Sequence, residues 1–114
     1  MSTDTELAWA AGFFDGEGHV SIAKPKPRQR GRAVCRVNQI CREELDRFQR
    51  AVGVGVVSGP YGPYSGNRRP QWCWIANTVE EIGRVASLLR PYLCSRKLAD
   101  FDRVFAALEE GVRF

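Results

Sequence analysis

Asp15 and Glu17 stand two residues apart, with Gly16 between them and Gly18 behind. A packed core gains little from two carboxylates set among glycines. A hard divalent cation gains two oxygen donors on a backbone free to bend towards it. The pair closes a run from Leu7 to Phe14 whose residues suit a helix. Within that run Ala8, Gly12 and Gly16 recur every four residues and form a stripe without bulk. Leu7, Trp9, Ala10, Phe13 and Phe14 surround the stripe, so the spacing predicts a helix buried on nearly all sides. In a chain this short, the natural occupant of the stripe is a second copy of the same helix. Leu7, Ala8, Ala11, Gly12 and Asp15 are the expected contacts of that pair. The two acids then emerge at the helix C-terminus, where the backbone already carries partial negative charge. They call for a cation, and a divalent metal ion is the simplest one.

The elements that must position these acids can be read along the chain. At 114 residues the sequence is expected to be one domain, 1–114, with a modest core. A first helix spans 5–15, capped by Thr3 or Asp4. Strands follow over 18–24 and 32–39, separated by a polar loop that Pro25 and Pro27 open. A second helix covers 43–52 and is broken by Gly53 and Gly55. Strands over 54–58 and 69–76 flank a loop rich in glycine, proline and tyrosine. Thr78 and Glu81 form a capping box for a third helix that Pro91 ends. A fourth helix spans 97–110, with Phe101, Val104, Phe105 and Leu108 on its apolar side. The expected fold is α+β, in the order α-β-β-α-β-β-α-α, around a four-stranded antiparallel sheet.

Period-two alternation divides that sheet into two faces. Val20, Ile22, Val37, Trp72 and Trp74 are expected to pack on the helices. His19, Ser21, Arg32, Arg36, Asn38, Arg69 and Gln71 are expected on the other face, which an antiparallel sheet can leave uncovered. The charge balance points at a partner for it. Lys and Arg number 17 against 13 Asp and Glu, a net charge of +4. Residues 18–42 hold no acid, yet carry Lys24, Lys26, Arg28, Arg30, Arg32, Arg36 and Arg42. Such a block suits a polyanion. A twisted basic ribbon of strands fits the DNA major groove, where base edges present a distinguishable pattern of donors and acceptors. Arg68, in the loop before the fourth strand, is a further expected contact.

Cys35, Cys41, Cys73 and Cys94 lack zinc-type spacing and are expected to be reduced, mostly buried thiols. The apolar start carries Asp4 and Glu6 and is too short for a secretory signal, so a cytoplasmic, non-secreted protein is expected. No apolar run approaches a membrane span, and no membrane partner is expected.

The stretch Ala11-Gly12-Phe13-Phe14-Asp15-Gly16-Glu17-Gly18 resembles the signature of the LAGLIDADG homing endonucleases, with Glu in place of the commoner second Asp. The signature occurs once. Val52-Gly53-Val54-Gly55 and Leu89-Arg90-Pro91-Tyr92-Leu93 follow the family's order of elements, so the resemblance covers nearly the whole chain. It implies a saddle-shaped, DNA-holding sheet and a homodimer joined through the motif helix. It also implies a catalytic Mg²⁺, or another divalent cation such as Mn²⁺, held by the Glu17 carboxylate and the Gly16 carbonyl. Asp15 takes the place of an acid that is usually structural. Gln39 falls where the family often positions a water. Arg96, with Lys97 beside it, falls where the family has a basic residue near the scissile phosphate.

The expected function is therefore site-specific hydrolysis of double-stranded DNA at a long pseudo-palindromic target by a homodimer. The alternative is an inactive nucleic-acid binder on the same fold, either a transcription regulator or an intron-splicing maturase with intron RNA as its partner. The retained acid pair favours the enzyme. A-form RNA, with its deep and narrow major groove, would fit a broad sheet badly.

Overall fold

The computed structural model describes residues 2–23, 32–62, 66 and 69–109. Its elements run α1 (Asp4–Glu17), β1 (Gly18–Ala23), β2 (Arg32–Gln39), α2 (Arg42–Val52), β3 (Val56–Tyr61), β4 (Gln71–Ala76), α3 (Val79–Leu89) and α4 (Ser95–Glu109). This is the expected order. The strands pair antiparallel in one open sheet, β1-β2-β4-β3.

Alternation in β2 fixes which face meets the helices. Ala33, Cys35 and Val37 are buried, while Arg32, Arg36 and Asn38 are exposed. On the buried side an aromatic chain ties the helices to the sheet. Phe14 of α1 stacks on Phe48 of α2 and Phe101 of α4, and Phe48 meets Trp74 of β4 edge-on at 4.8 Å. Quadrupole geometry adds to the area these rings bury. Side-chain caps begin two of the helices. The Thr3 hydroxyl accepts from Glu6 N at 3.2 Å. The Thr78 hydroxyl accepts from Glu81 N, as the expected box requires, while the Glu81 carboxylate accepts from that same hydroxyl and from Gly55 N.

Several boundaries differ from the sequence expectation, each for a local reason. The first helix continues past Asp15 to Glu17, where the Gly18 N–H donates to the Phe14 carbonyl and closes it. It is not buried on nearly all sides. Ala10, Ala11 and Phe14 face the core, and Ala8, Gly12 and Gly16 face outward. β3 begins at Val56 rather than at 54, because Gly53 and Gly55 take positive φ values of 71° and 86°. The intervening Val54 carbonyl accepts from Trp74 Nε1 at 2.9 Å instead of joining the ladder. β4 begins at Gln71, since Pro70 offers no N–H for pairing, and Arg69 lies just outside it. Among the cysteines Cys35 is buried, Cys41 and Cys73 are half-buried, and Cys94 is exposed, so the expectation of mostly buried thiols is only partly met.

Candidate functional site

The acid motif and the start of α4 are joined by two reciprocal contacts. Both oxygens of the Asp15 carboxylate accept from Cys94 N, at 3.1 and 3.2 Å. Cys94 is the residue before α4, and its carbonyl accepts from Leu98 N. The first turn of α4 contains no acid of its own. Asp15 therefore supplies the negative charge that a helix N-terminus favours. In return Lys97, in that same first turn, donates from Nζ to the Gly18 carbonyl at 2.5 Å. Gly18 is the residue after Glu17, so the buried Lys97 ammonium is bonded to the backbone one residue beyond the exposed Glu17.

Lys97 is 6% exposed, the one charged side chain buried among the described residues. Its neighbours include the Phe14 ring, 5.7 Å away. Burial pushes the nearby Cys35 thiol far above its usual range, and the charge of Lys97 opposes this by less. Arg96, the other basic candidate, is exposed and takes no part in the hydrogen bonds of this cluster. Helical phase explains the difference. Lys97, Phe101 and Val104 lie at i, i+4 and i+7 and are the buried residues of α4. That spacing is present in the sequence, but a helix begun at 97 hides it.

Gly18 also shows why a glycine follows the second acid. A Cβ there would lie 2.2–2.5 Å from ring atoms of Phe14. Gly16 and Glu17 are exposed, and a Cβ on Gly16 would meet nothing within 4 Å. Among the described residues no three His, Cys, Asp or Glu side chains converge on one point. The donor set for a cation is thus one carboxylate and the unsatisfied carbonyls of a helix end. Those are hard oxygen donors of the kind Mg²⁺ takes, but too few to enclose an ion without phosphate, water or a second copy.

Gln39 ends β2 on the core-side alternation, opposite Trp72. Its Oε1 accepts from Ile40 N at 3.0 Å, which leaves its amide NH₂ as the group able to hold a water. Of the expected helix-pair contacts, Ala8 and Gly12 are exposed and Leu7 is half-buried against the core. Ala11 is corrected: at 0% exposure it belongs to the protomer's own core, one helical phase away from the stripe. Asp15 spends its carboxylate on Cys94 of the same chain.

The expected DNA-facing residues of the strands fall on the open side of the sheet, and Arg69 lies just before β4. His19, Ser21, Arg32, Arg36, Asn38, Arg69 and Gln71 are all exposed. Pairing sets His19 beside Arg36, Arg36 beside Ile75, and Ile75 beside Val56 in one row across all four strands. The next row runs Asn38, Cys73, Ser58. Ile75 and Val56 were not among the expected site residues. Strand parity alone puts Ile75 on this face, whereas Val56 needs the register. Lys24, Lys26, Arg28, Arg30 and Arg68 lie outside the described residues.

No family model matches the chain, and no curated protein does. Solved structures do match. The archaeal intron-encoded homing endonuclease I-Vdi141I, complexed with DNA, superposes with a TM-score of 0.74 at 19% identity, over 95% of this chain and 71% of that one. The homing endonuclease I-CvuI, in complex with its target in the presence of Ca, gives 0.72 at 21%, over 94% and 68%. The LAGLIDADG meganuclease I-CpaMI, bound to uncleaved DNA, gives 0.71 at 20%, over 94% of this chain but 38% of that one.

The chain has the LAGLIDADG homing-endonuclease fold. In that fold the motif helix is α1, and the exposed sheet is the face opposite the helices. This chain spans about two thirds of the length of I-Vdi141I and I-CvuI, and well under half of I-CpaMI.

Proposed function

We propose that the protein is a site-specific double-stranded DNA endonuclease acting as a homodimer. One observation carries the reading: the clamp that bonds the buried Lys97 ammonium to the backbone next to Glu17 and ties Asp15 to the start of α4, in a fold whose open sheet face bears Arg32, Arg36 and Asn38. I-Vdi141I, I-CpaMI and I-CvuI, which this chain resembles, are each complexed with DNA or with their target, I-CvuI in the presence of Ca.

Dimerisation is supported by the single acid motif and by the outward stripe. Added Cβ atoms at Gly12 and Gly16 would meet nothing within 4 Å, so both positions offer room for a second helix. Ala8 extends that surface, and Leu7 flanks it. A two-fold axis there brings the ends of two motif helices together, one for each DNA strand, and matches a pseudo-palindromic target.

Glu17 and the Gly16 carbonyl would hold Mg²⁺ or Mn²⁺, with phosphate and water completing the set. Such an ion, when bound, activates water and stabilises the leaving oxygen in phosphodiester hydrolysis. Lys97 offers the donors it does not spend on Gly18 to a phosphate oxygen and offsets charge developing there. Gln39 orients the attacking water through its amide NH₂. Arg96, exposed at the start of α4, serves as a backbone contact rather than as this charge-stabiliser. His19, Ser21, Arg36, Asn38 and Gln71 meet base edges and phosphates, with Arg32 and Arg69 on the duplex backbone. Lys24, Lys26, Arg28, Arg30 and Arg68 extend the contact by their charge.

The reading puts the protein in the compartment that holds its DNA target. No helix among the described residues is long and apolar enough to cross a membrane. The inactive binder remains the competing reading, and the neighbours named above lend no support to intron RNA.

The test is cleavage selection on a randomised duplex library with Mg²⁺, run alongside Glu17→Gln. Discrete, nearly palindromic cuts that vanish in the variant are expected. Salt-sensitive binding without cuts, unchanged by the substitution, would overturn the enzyme in favour of the binder.

A further inference from the structure

The open face is chemically divided. Its β1–β2 half carries His19, Arg32, Arg36 and Asn38. The β4–β3 half continues the same row with Ile75 and Val56. Val56 is 63% exposed, the most exposed large apolar side chain among the described residues. It sits directly opposite Ile75, which is directly opposite Arg36. Paired Cβ atoms on one sheet face are about 4.5–5.5 Å apart, so the two apolar side chains form one continuous surface against a guanidinium. β-Branched residues suit strands on either face. Here, however, they fill the outer half of a row whose other half, His19 and Arg36, is made of hydrogen-bonding groups, and Val56 at its end stays open to solvent.

From this juxtaposition we infer that Ile75 and Val56 read pyrimidine 5-methyl groups in the major groove. The inference rests on the duplex-DNA reading above and adds to it a pair of specificity-determining residues. The 5-methyl of thymine is the apolar group that the major-groove edge of a base pair presents. An apolar surface has nothing to offer a phosphate, a guanine edge or an amino group. Against a methyl it gains by excluding water. Arg36 alongside suits the O6 and N7 acceptors of guanine, so the pair and the arginine together specify a guanine and a thymine as close neighbours in each half-site. 5-Methylcytosine carries the same methyl and is accepted by the same surface.

The test begins with the target found by selection. Each thymine is replaced in turn by deoxyuridine, which removes the methyl and leaves every hydrogen-bonding group in place. Binding is measured with Ca²⁺ for the wild type, Val56→Ser, Ile75→Ser and the conservative Ile75→Val. At one or two thymines per half-site, the wild type is expected to bind the uracil duplex about fourfold more weakly per methyl removed. Ile75→Val keeps that penalty. Val56→Ser or Ile75→Ser loses it while still distinguishing the guanine met by Arg36. Circular dichroism confirms that the variants fold.

Specific binding with no uracil penalty at any thymine, or with a penalty equal in wild type and serine variants, would overturn the methyl readout and leave DNA binding intact. Absence of salt-dependent duplex binding altogether would overturn both.

Discussion

Replacing Asp15 tests whether the first acid of the motif holds α4 in place. In Asp15→Ala, Cys94 N loses both of its carboxylate contacts, at 3.1 and 3.2 Å, and the N-terminus of α4 loses a neighbouring negative charge. The site is half-exposed, so the contribution belongs with helix caps and not with fully buried charges. Removing such a cap costs about 1–2 kcal/mol. For a domain of this size that lowers Tm by roughly 4–10 °C. Asp15→Asn keeps an oxygen acceptor without the charge and is expected to recover about half of the loss. Thermal unfolding followed by circular dichroism reads both values. Because Lys97 lies in the turn that Asp15 anchors, cleavage by the two variants should fall in the same order as their stability. An alanine variant melting within about 1 °C of the wild type would refute the clamp, since that difference is below any cap contribution.

Lys97→Met should reduce single-turnover cleavage of the selected target about 100-fold or more while leaving binding close to wild type, as for loss of one charge-stabilising donor. Arg96→Ala should weaken binding slightly and leave the cleavage rate alone. Gly18→Ala places a methyl 2.2–2.5 Å from the Phe14 ring, so urea unfolding should report a loss of at least about 2 kcal/mol. The Arg47 guanidinium, bonded to both oxygens of Glu6 at 2.8 and 3.0 Å, holds the Glu6 carboxyl below its ordinary value of 4.5. A depressed carboxyl stabilises the fold above the unfolded-state value and loses that contribution as pH falls through the folded-state one. The stability gap between the wild type and Glu6→Gln should therefore close as the solution is acidified below 4.5.

Local signals made much of the fold legible. The alternation of β2 is complete in eight residues, and the Thr78 cap on Glu81 N needs only its own segment. What escaped depends on distant partners. Val54-Gly55-Val56 reads as strand by composition, yet Trp74 lies against Gly55, where a Cβ would come within 2.4 Å of the indole. Only packing between segments distant in sequence decides that. Asp15 and Cys94 are 79 residues apart, and nothing near either one announces the bond. Arg96 and Lys97 are neighbours of the same charge, and a single step of helical phase sends one outward and the other into the protein. The sheet's apolar row escaped for a related reason, since Val56 joins Ile75 only once the register of β3 is known.

The two outer strands of the sheet have a consequence for how the protein behaves at high concentration. An exposed sheet edge is a template on which another chain can add a strand. β1 is one such edge, but it holds six residues, Gly18–Ala23. β3 is the other, and its pairing slips between Ser58 and Tyr61, where Pro60 contributes no N–H. Neither edge offers a long, regular ladder. Among the described residues, copies of the sheet therefore find no long, regular template on which to grow into fibres edge by edge.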